Sequence, residues 1–334
     1  MWIIQALMPV ITLEEHFVTQ SYLQATGVYG QGAAPQLAEL QPKLLDIGAG
    51  RIAAMDEASI DFQVLSLAAM GFDALDAASA TPLARDINDE LANAVRAHPD
   101  RFGGFATLAL KDPSKEAIEL ERCITRLGFH GALLNGTTGG LFLDDSRFLP
   151  VFEAAAQLNV PIYLHPAPPP EVVDRAYFSG LPGEAGRMLS IAGWGWHTET
   201  GLHTLRLILA GLFDRLPALQ LIIGHMGEGL PYALARSSGI LSQAAPHLRQ
   251  PVAAYFRSNI HITTSGYFTH PPLRCAIDVV GLDRLLFSVD YPFSANTRGR
   301  AFLDSLPTIL SPDEIAMLAH RNAESVLHLT STSL

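Results

Sequence analysis

Apolar residues in this chain fall into short runs separated by stretches of helical period. The runs are VITLEEHF (10–17), FQVLSLA (62–68), FGGFATLAL (102–110), HGALLNG (130–136), VPIYLHP (160–166), LQLIIGHMG (219–227), NIHITTSG (259–266) and RLLFSVDYP (284–292). Most are apolar almost throughout rather than alternating, the pattern of strands covered on both faces. Between them lie amphipathic segments such as PSKEAIELERCITRL and TETGLHTLRLILAGLF. Alternating β and α units predict a parallel sheet. Eight of them in 334 residues is the count of a (β/α)8 barrel. A doubly wound open sheet is the alternative, but no GxGxxG follows the first run, which argues against a dinucleotide fold. The expectation is one barrel domain over residues 1–334, with residues 1–8 an extension if Met8 is the natural start. Two long stretches without regular period, 18–45 and 166–197, follow the first and fifth runs. In a barrel both would lie over the C-terminal face, where active sites form.

Composition narrows the class. The chain is 49% hydrophobic and 16% charged, with 22 Lys and Arg against 33 Asp and Glu and a net charge of −11. Without a basic cluster, nucleic acid and anionic membranes are not expected partners. Cys123 and Cys275 sit in helical patterns and read as packed thiols of a cytoplasmic protein. The apolar N-terminus MWIIQALMP lacks the basic segment and cleavage site of a signal peptide. No apolar run reaches the ~18 residues of a membrane span.

Polar residues concentrate where the apolar runs end. The first run closes on Glu14, Glu15 and His16. On a strand, Glu14 and His16 face one side and Glu15 the other. His165 ends the fifth run, His225 the sixth and Asp290 the eighth. Singly, each has a plain reading: a salt bridge, a satisfied histidine, a turn or cap residue. In a barrel, however, these ends converge on one rim. Imidazole and carboxylate together suit a borderline divalent metal with a position left open for substrate. The other histidines discriminate less. His203, four residues after Glu199, reads as a structural helix pair. His197 could reach the site from its loop but reads first as a loop or capping residue, and His98, His247, His320 and His328 read as surface.

The motifs ITLEEHF, YLHP, GHMGEGLPY, HITTSG and LLFSVDYPF, in this order, resemble the amidohydrolase-related aromatic decarboxylases. That group includes γ-resorcylate (2,6-dihydroxybenzoate), 2,3-dihydroxybenzoate and aminocarboxymuconate semialdehyde decarboxylases. LGFHGALLNG and LILAGLFDRLPALQLIIGHMGEGLPY are especially similar to the γ-resorcylate branch. The resemblance covers nearly the whole chain and implies a distorted barrel of the metal-dependent amidohydrolase type. It implies one divalent ion, zinc or manganese, on Glu14, His16, His165 and Asp290, with His225 and Glu228 as catalytic partners. It also implies Arg236, Phe293 and Tyr29 near a small aromatic carboxylate substrate, and a homodimer or homotetramer. Only three lysines occur, Lys43, Lys111 and Lys115. None lies on the fourth run, where binuclear relatives carry a metal-bridging carboxylated lysine; Asn135 is its last polar residue. One metal is therefore expected rather than two. The sequence departs from the family in DYPF for the commoner DWPF, in SSGILSQ after Arg236 and in a short loop at 137–145, which bears on the substrate more than on the chemistry.

The activity implied is non-oxidative decarboxylation of an ortho-hydroxy aromatic acid, with Asp290 protonating the ring before CO2 leaves. Metal-dependent hydrolysis of a lactone or amide at the same rim is the alternative.

Overall fold

The computed structural model describes residues 8–28, 35–68 and 72–329. Tyr29 and residues 1–7 lie outside them. Among the described residues nine strand segments occur in chain order: β1 (Ile11–Phe17), β2 (Phe62–Leu67), β3 (Phe102–Gly104), β4 (Ala106–Thr107), β5 (Ala132–Asn135), β6 (Ile162–His165), β7 (Leu221–Ile223), β8 (Ile260–Thr263) and β9 (Leu285–Leu286). All pair in parallel with their sequence neighbours, as β1-β2-β3 and as β4 through β9. β3 and β4 are one strand of the predicted eight, split at Phe105, whose N–H turns to Leu65 O at 2.9 Å.

Helices follow the strands as the amphipathic segments predict. Pro113–Leu127 shows the local logic: Asp112 caps its first turn, Pro113 opens it, and Gly128 ends it at φ 74°, a left-handed backbone open to glycine. The stretches 18–45 and 166–197 are more regular than their sequence shows, with helices Gln20–Thr26, Pro35–Leu45, Glu171–Tyr177 and Ala185–Ser190 and the start of Gly195–Leu209.

Two apolar layers result. One lies between strands and helices. The other fills the barrel lumen with Ile11, Leu13, Val64, Phe105, Leu133, Tyr163, Ile222 and Leu286, and is floored by Val326 and Leu327 of the last helix. Among the described residues no helix is long and apolar enough to cross a membrane.

The eighth run is the least regular. Only Leu285–Leu286 pairs in a ladder, with β8. The seam between the last and first strands is closed instead by Glu15. Its buried carboxylate accepts from Ser288 Oγ at 3.0 Å, Val289 N at 2.9 Å and Tyr291 N at 3.0 Å, while His16 N donates to Tyr291 O at 2.7 Å. The middle member of the Glu-Glu-His triplet is thus a structural group that anchors the chain on both sides of Asp290.

Candidate metal centre

Glu14 stands at the middle of the lumen's upper end, fully buried. Its Oε2 accepts from the hydroxyls of Tyr163, Ser265 and Thr263, the last at 3.1 Å. Gly224 leaves the room: a Cβ there would lie 2.8 Å from Glu14 Oε2 and 3.0 Å from Oε1. Glu14 Oε1 has no hydrogen-bond partner. It faces His165 Nε2 at 3.3 Å and His225 Nε2 at 3.6 Å.

The two histidines at strand ends are oriented from behind. His165 Nδ1 donates to Pro166 O at 2.8 Å. A carbonyl only accepts, so in the neutral ring the lone pair is on Nε2, aimed at Glu14. His16 Nδ1 meets Ser66 Oγ at 3.3 Å, and its Nε2 is buried with no hydrogen-bond partner, 3.3 Å from Asp290 Oδ1. Acceptor atoms facing one another across a buried space are costly unless a cation lies between them. The ligand atoms of Glu14, His16 and His165 lie within 4.8 Å of one another, as do those of Glu14, His225 and Asp290. These groups fit a divalent ion with mixed N and O donors.

A second layer stands behind His225. Its Nδ1 is 2.9 Å from Glu228 Oε1, and the other oxygen of Glu228 is 2.6 Å from His197 Nδ1. His225 Nε2 lies 3.8 Å from Asp290 Oδ2. The backbone is left-handed from His225 to Glu228, with φ 48°, 57°, 82° and 56°, and again at Asp290, with φ 72°. Left-handed non-glycine residues cost energy and gather at functional sites.

Charge follows from this packing. Burial alone raises a carboxyl, but the facing His225 and His165 outweigh it and hold Glu14 far below the ordinary range. Burial opposes charge on His225 as well, yet Glu14 and Glu228 push its imidazole well above the usual value. Asp290 is held low: against burial, the facing imidazoles of His16 and His225 favour its ionised form. His16 is pushed down by burial.

The sequence-predicted residues divide accordingly. Glu14, His16, His165, His225, Glu228 and Asp290 come together. Phe293 stands at the rim, 40% exposed, its ring 5.6 Å from that of His16. Arg236 is exposed on helix Leu230–Ala244, and the described residues bring nothing of this site to it. His197 corrects its sequence reading as a loop or capping residue, since it reaches the site through Glu228. His203 is structural as read, but its partner is Leu143 N at 2.8 Å, not Glu199. Tyr163 inside β6, Thr263 at the end of β8 and Ser265 just beyond it, which hold Glu14, carry no mark in the sequence.

Comparison with known proteins gives the family. The family model described as Amidohydrolase matches residues 38–329. Decarboxylase orsB of Emericella nidulans is 37% identical over 327 residues, covering 96% of this chain and 97% of its own. The γ-resorcylate decarboxylase of Polaromonas sp. is 40% identical over 296 residues, covering 85% and 88%. A crystal structure of a dihydroxybenzoic acid decarboxylase from Polaromonas sp., with bound manganese and the inhibitor 2-nitroresorcinol, superposes with a TM-score of 0.88 at 36% identity, covering 98% of this chain and 99% of that one. With the parallel barrel and the rim of facing acceptors already in place, the chain belongs to the amidohydrolase family.

Proposed function

We propose that this protein is a metal-dependent, non-oxidative decarboxylase of an aromatic ortho-hydroxy carboxylic acid. The observation that carries the reading is the set of buried acceptors, Glu14 Oε1 and His16 Nε2 without partners and His165 Nε2 aimed at Glu14. Glu14, His16, His165 and Asp290 would hold one divalent ion, zinc or manganese. When bound, that ion would supply Lewis-acid stabilisation of negative charge on the substrate.

The chain's own residues then handle one proton. Asp290 is ionised at rest and is a poor acid by itself. The proton is held on His225, whose Nε2 stands 3.8 Å from Asp290 Oδ2, with Glu228 and His197 behind it. Passed through Asp290, it reaches the ring carbon that bears the carboxylate. That carbon becomes tetrahedral, the carbon–carboxylate bond breaks, CO2 leaves, and the bond's electron pair restores the aromatic ring. Phe293, beside His16 at the rim, would meet the ring. Arg236 is assigned the substrate's anionic charge, a role its exposed position leaves to mutagenesis.

The test is a panel of ortho-hydroxybenzoates and a set of lactones given to manganese-loaded protein. CO2 and the matching phenol should form from the acids. Ring opening of lactones without CO2 release from any acid would replace this reading with hydrolysis.

A further inference from the structure

Next to the metal centre lies a cavity of about 410 Å³ that the chemistry above does not use. It opens among the loops that follow β2, β4, β5 and β6. Its walls include Leu67, Phe72, Leu108 and Leu110, with Lys111 and Glu171 also lining it. Its inner end comes nearest the centre at Asn135. Asn135 pairs with His165, and parallel neighbours in register face the same side of a sheet.

Two details show a preformed space. The Oδ1 atom of Asn135 is buried without a partner on the cavity wall, an acceptor waiting for a donor. At the outer end Asp73 ties three loops together: Gly139 N donates to both of its oxygens, at 3.1 and 3.2 Å, and Lys111 Nζ donates to its carbonyl oxygen at 3.0 Å.

The size decides what the cavity is for. A dry cavity of about 150 Å³ suffices for a benzene ring. The space here is more than twice that, and it lies outside the cluster that would hold the carboxylate. Building on the decarboxylase reading, we propose that it is a substituent pocket. The substrate is an ortho-hydroxy aromatic acid carrying an apolar group on the side of the ring away from the carboxylate, and Asn135 is a specificity-determining residue that accepts from a ring hydroxyl at the pocket's mouth.

The experiment compares 2,6-dihydroxybenzoate with the same acid carrying a propyl group at position 4, on wild-type protein and on Leu108→Trp, which fills the pocket and leaves the metal centre untouched. Each methylene moved from water into an apolar wall gains about fourfold in affinity. The propyl acid should therefore have at least a tenfold higher kcat/KM with wild type. Leu108→Trp should remove that advantage while keeping the plain acid within about twofold. Asn135→Leu should lower kcat/KM for 2,6-dihydroxybenzoate while leaving salicylate, with one hydroxyl fewer, near its wild-type value. A wild type that prefers the plain acid, or a Leu108→Trp that impairs both acids equally, overturns the pocket. An Asn135→Leu that lowers both hydroxybenzoates equally overturns the role of Asn135. If no acid releases CO2, the decarboxylase reading fails on its own. The pocket is then judged by calorimetric affinity for the plain and propyl acids, which wild type should separate tenfold and Leu108→Trp should not.

Discussion

Gly224→Ala isolates how the metal centre is built. Gly224 has φ −79° and ψ −170°, a backbone that any residue adopts, so alanine adds no backbone strain there. What it adds is one methyl group. That carbon would stand 2.8 Å from Glu14 Oε2, 3.0 Å from Glu14 Oε1 and 3.1 Å from the Tyr163 hydroxyl. Ordinary contact begins some 0.5 Å further out, so Glu14 must move by several tenths of an ångström. It cannot move freely, because Tyr163, Thr263 and Ser265 all hold Oε2. Overpacking of this kind costs about 1–3 kcal/mol of stability, read as a lower denaturation midpoint of the metal-free protein. Displacing the central ligand should weaken metal affinity by about 10–100-fold, on the scale of disturbed supports around metal ligands. The two effects are measured separately, by urea titration of metal-free protein and by calorimetric metal titration. Metal affinity and turnover both at wild-type level in Gly224→Ala would refute the placement of Glu14 at the centre.

Other substitutions separate the roles. Asp290→Asn should keep part of the metal and lose turnover by about 10² or more, and His225→Asn should keep metal and lose turnover, whereas Glu14→Gln should lose metal first; CO2 release by Asp290→Asn near the wild-type rate would move the acid to His225. Arg236→Ala should raise KM for an anionic substrate with metal content unchanged, and unaltered kinetics would make it an exposed charge of little consequence. Away from the site, burial pushes Glu116 up to about 7, although Thr81 and the Ala109 N–H donate to it. The folded chain then binds a proton that the unfolded chain, with an ordinary value of 4.5, releases. Stability should therefore fall as pH rises from about 4.5 to 7, by up to about 3 kcal/mol, and Glu116→Gln should flatten that slope in urea titrations at pH 5 and 8.

The sequence carried the barrel in its alternation of apolar runs and amphipathic segments, because strands covered on both faces cannot hide their composition. It carried Glu14, His16, His165, His225 and Asp290 because each ends an apolar run, where a polar group has no packing reason to be. What it did not carry depends on convergence. Tyr163, Thr263 and Ser265 look ordinary until β6 and β8 bring them to one oxygen of Glu14. Glu15 reads as one more ionisable group, yet it closes the seam where backbone pairing stops. His197 comes from a stretch without clear period, and no local pattern announces that Glu228 will meet it. Arg236 matched by motif alone: helix Leu230–Ala244 leaves it exposed, and its role rests on the Arg236→Ala kinetics.

The account stands on one cation among four side chains, and metal titration of the metal-free protein tests it most directly. One equivalent of manganese or zinc should bind tightly to the wild-type chain, and Glu14→Gln should abolish that binding. Two tight equivalents, no binding, or undiminished binding by Glu14→Gln would contradict it.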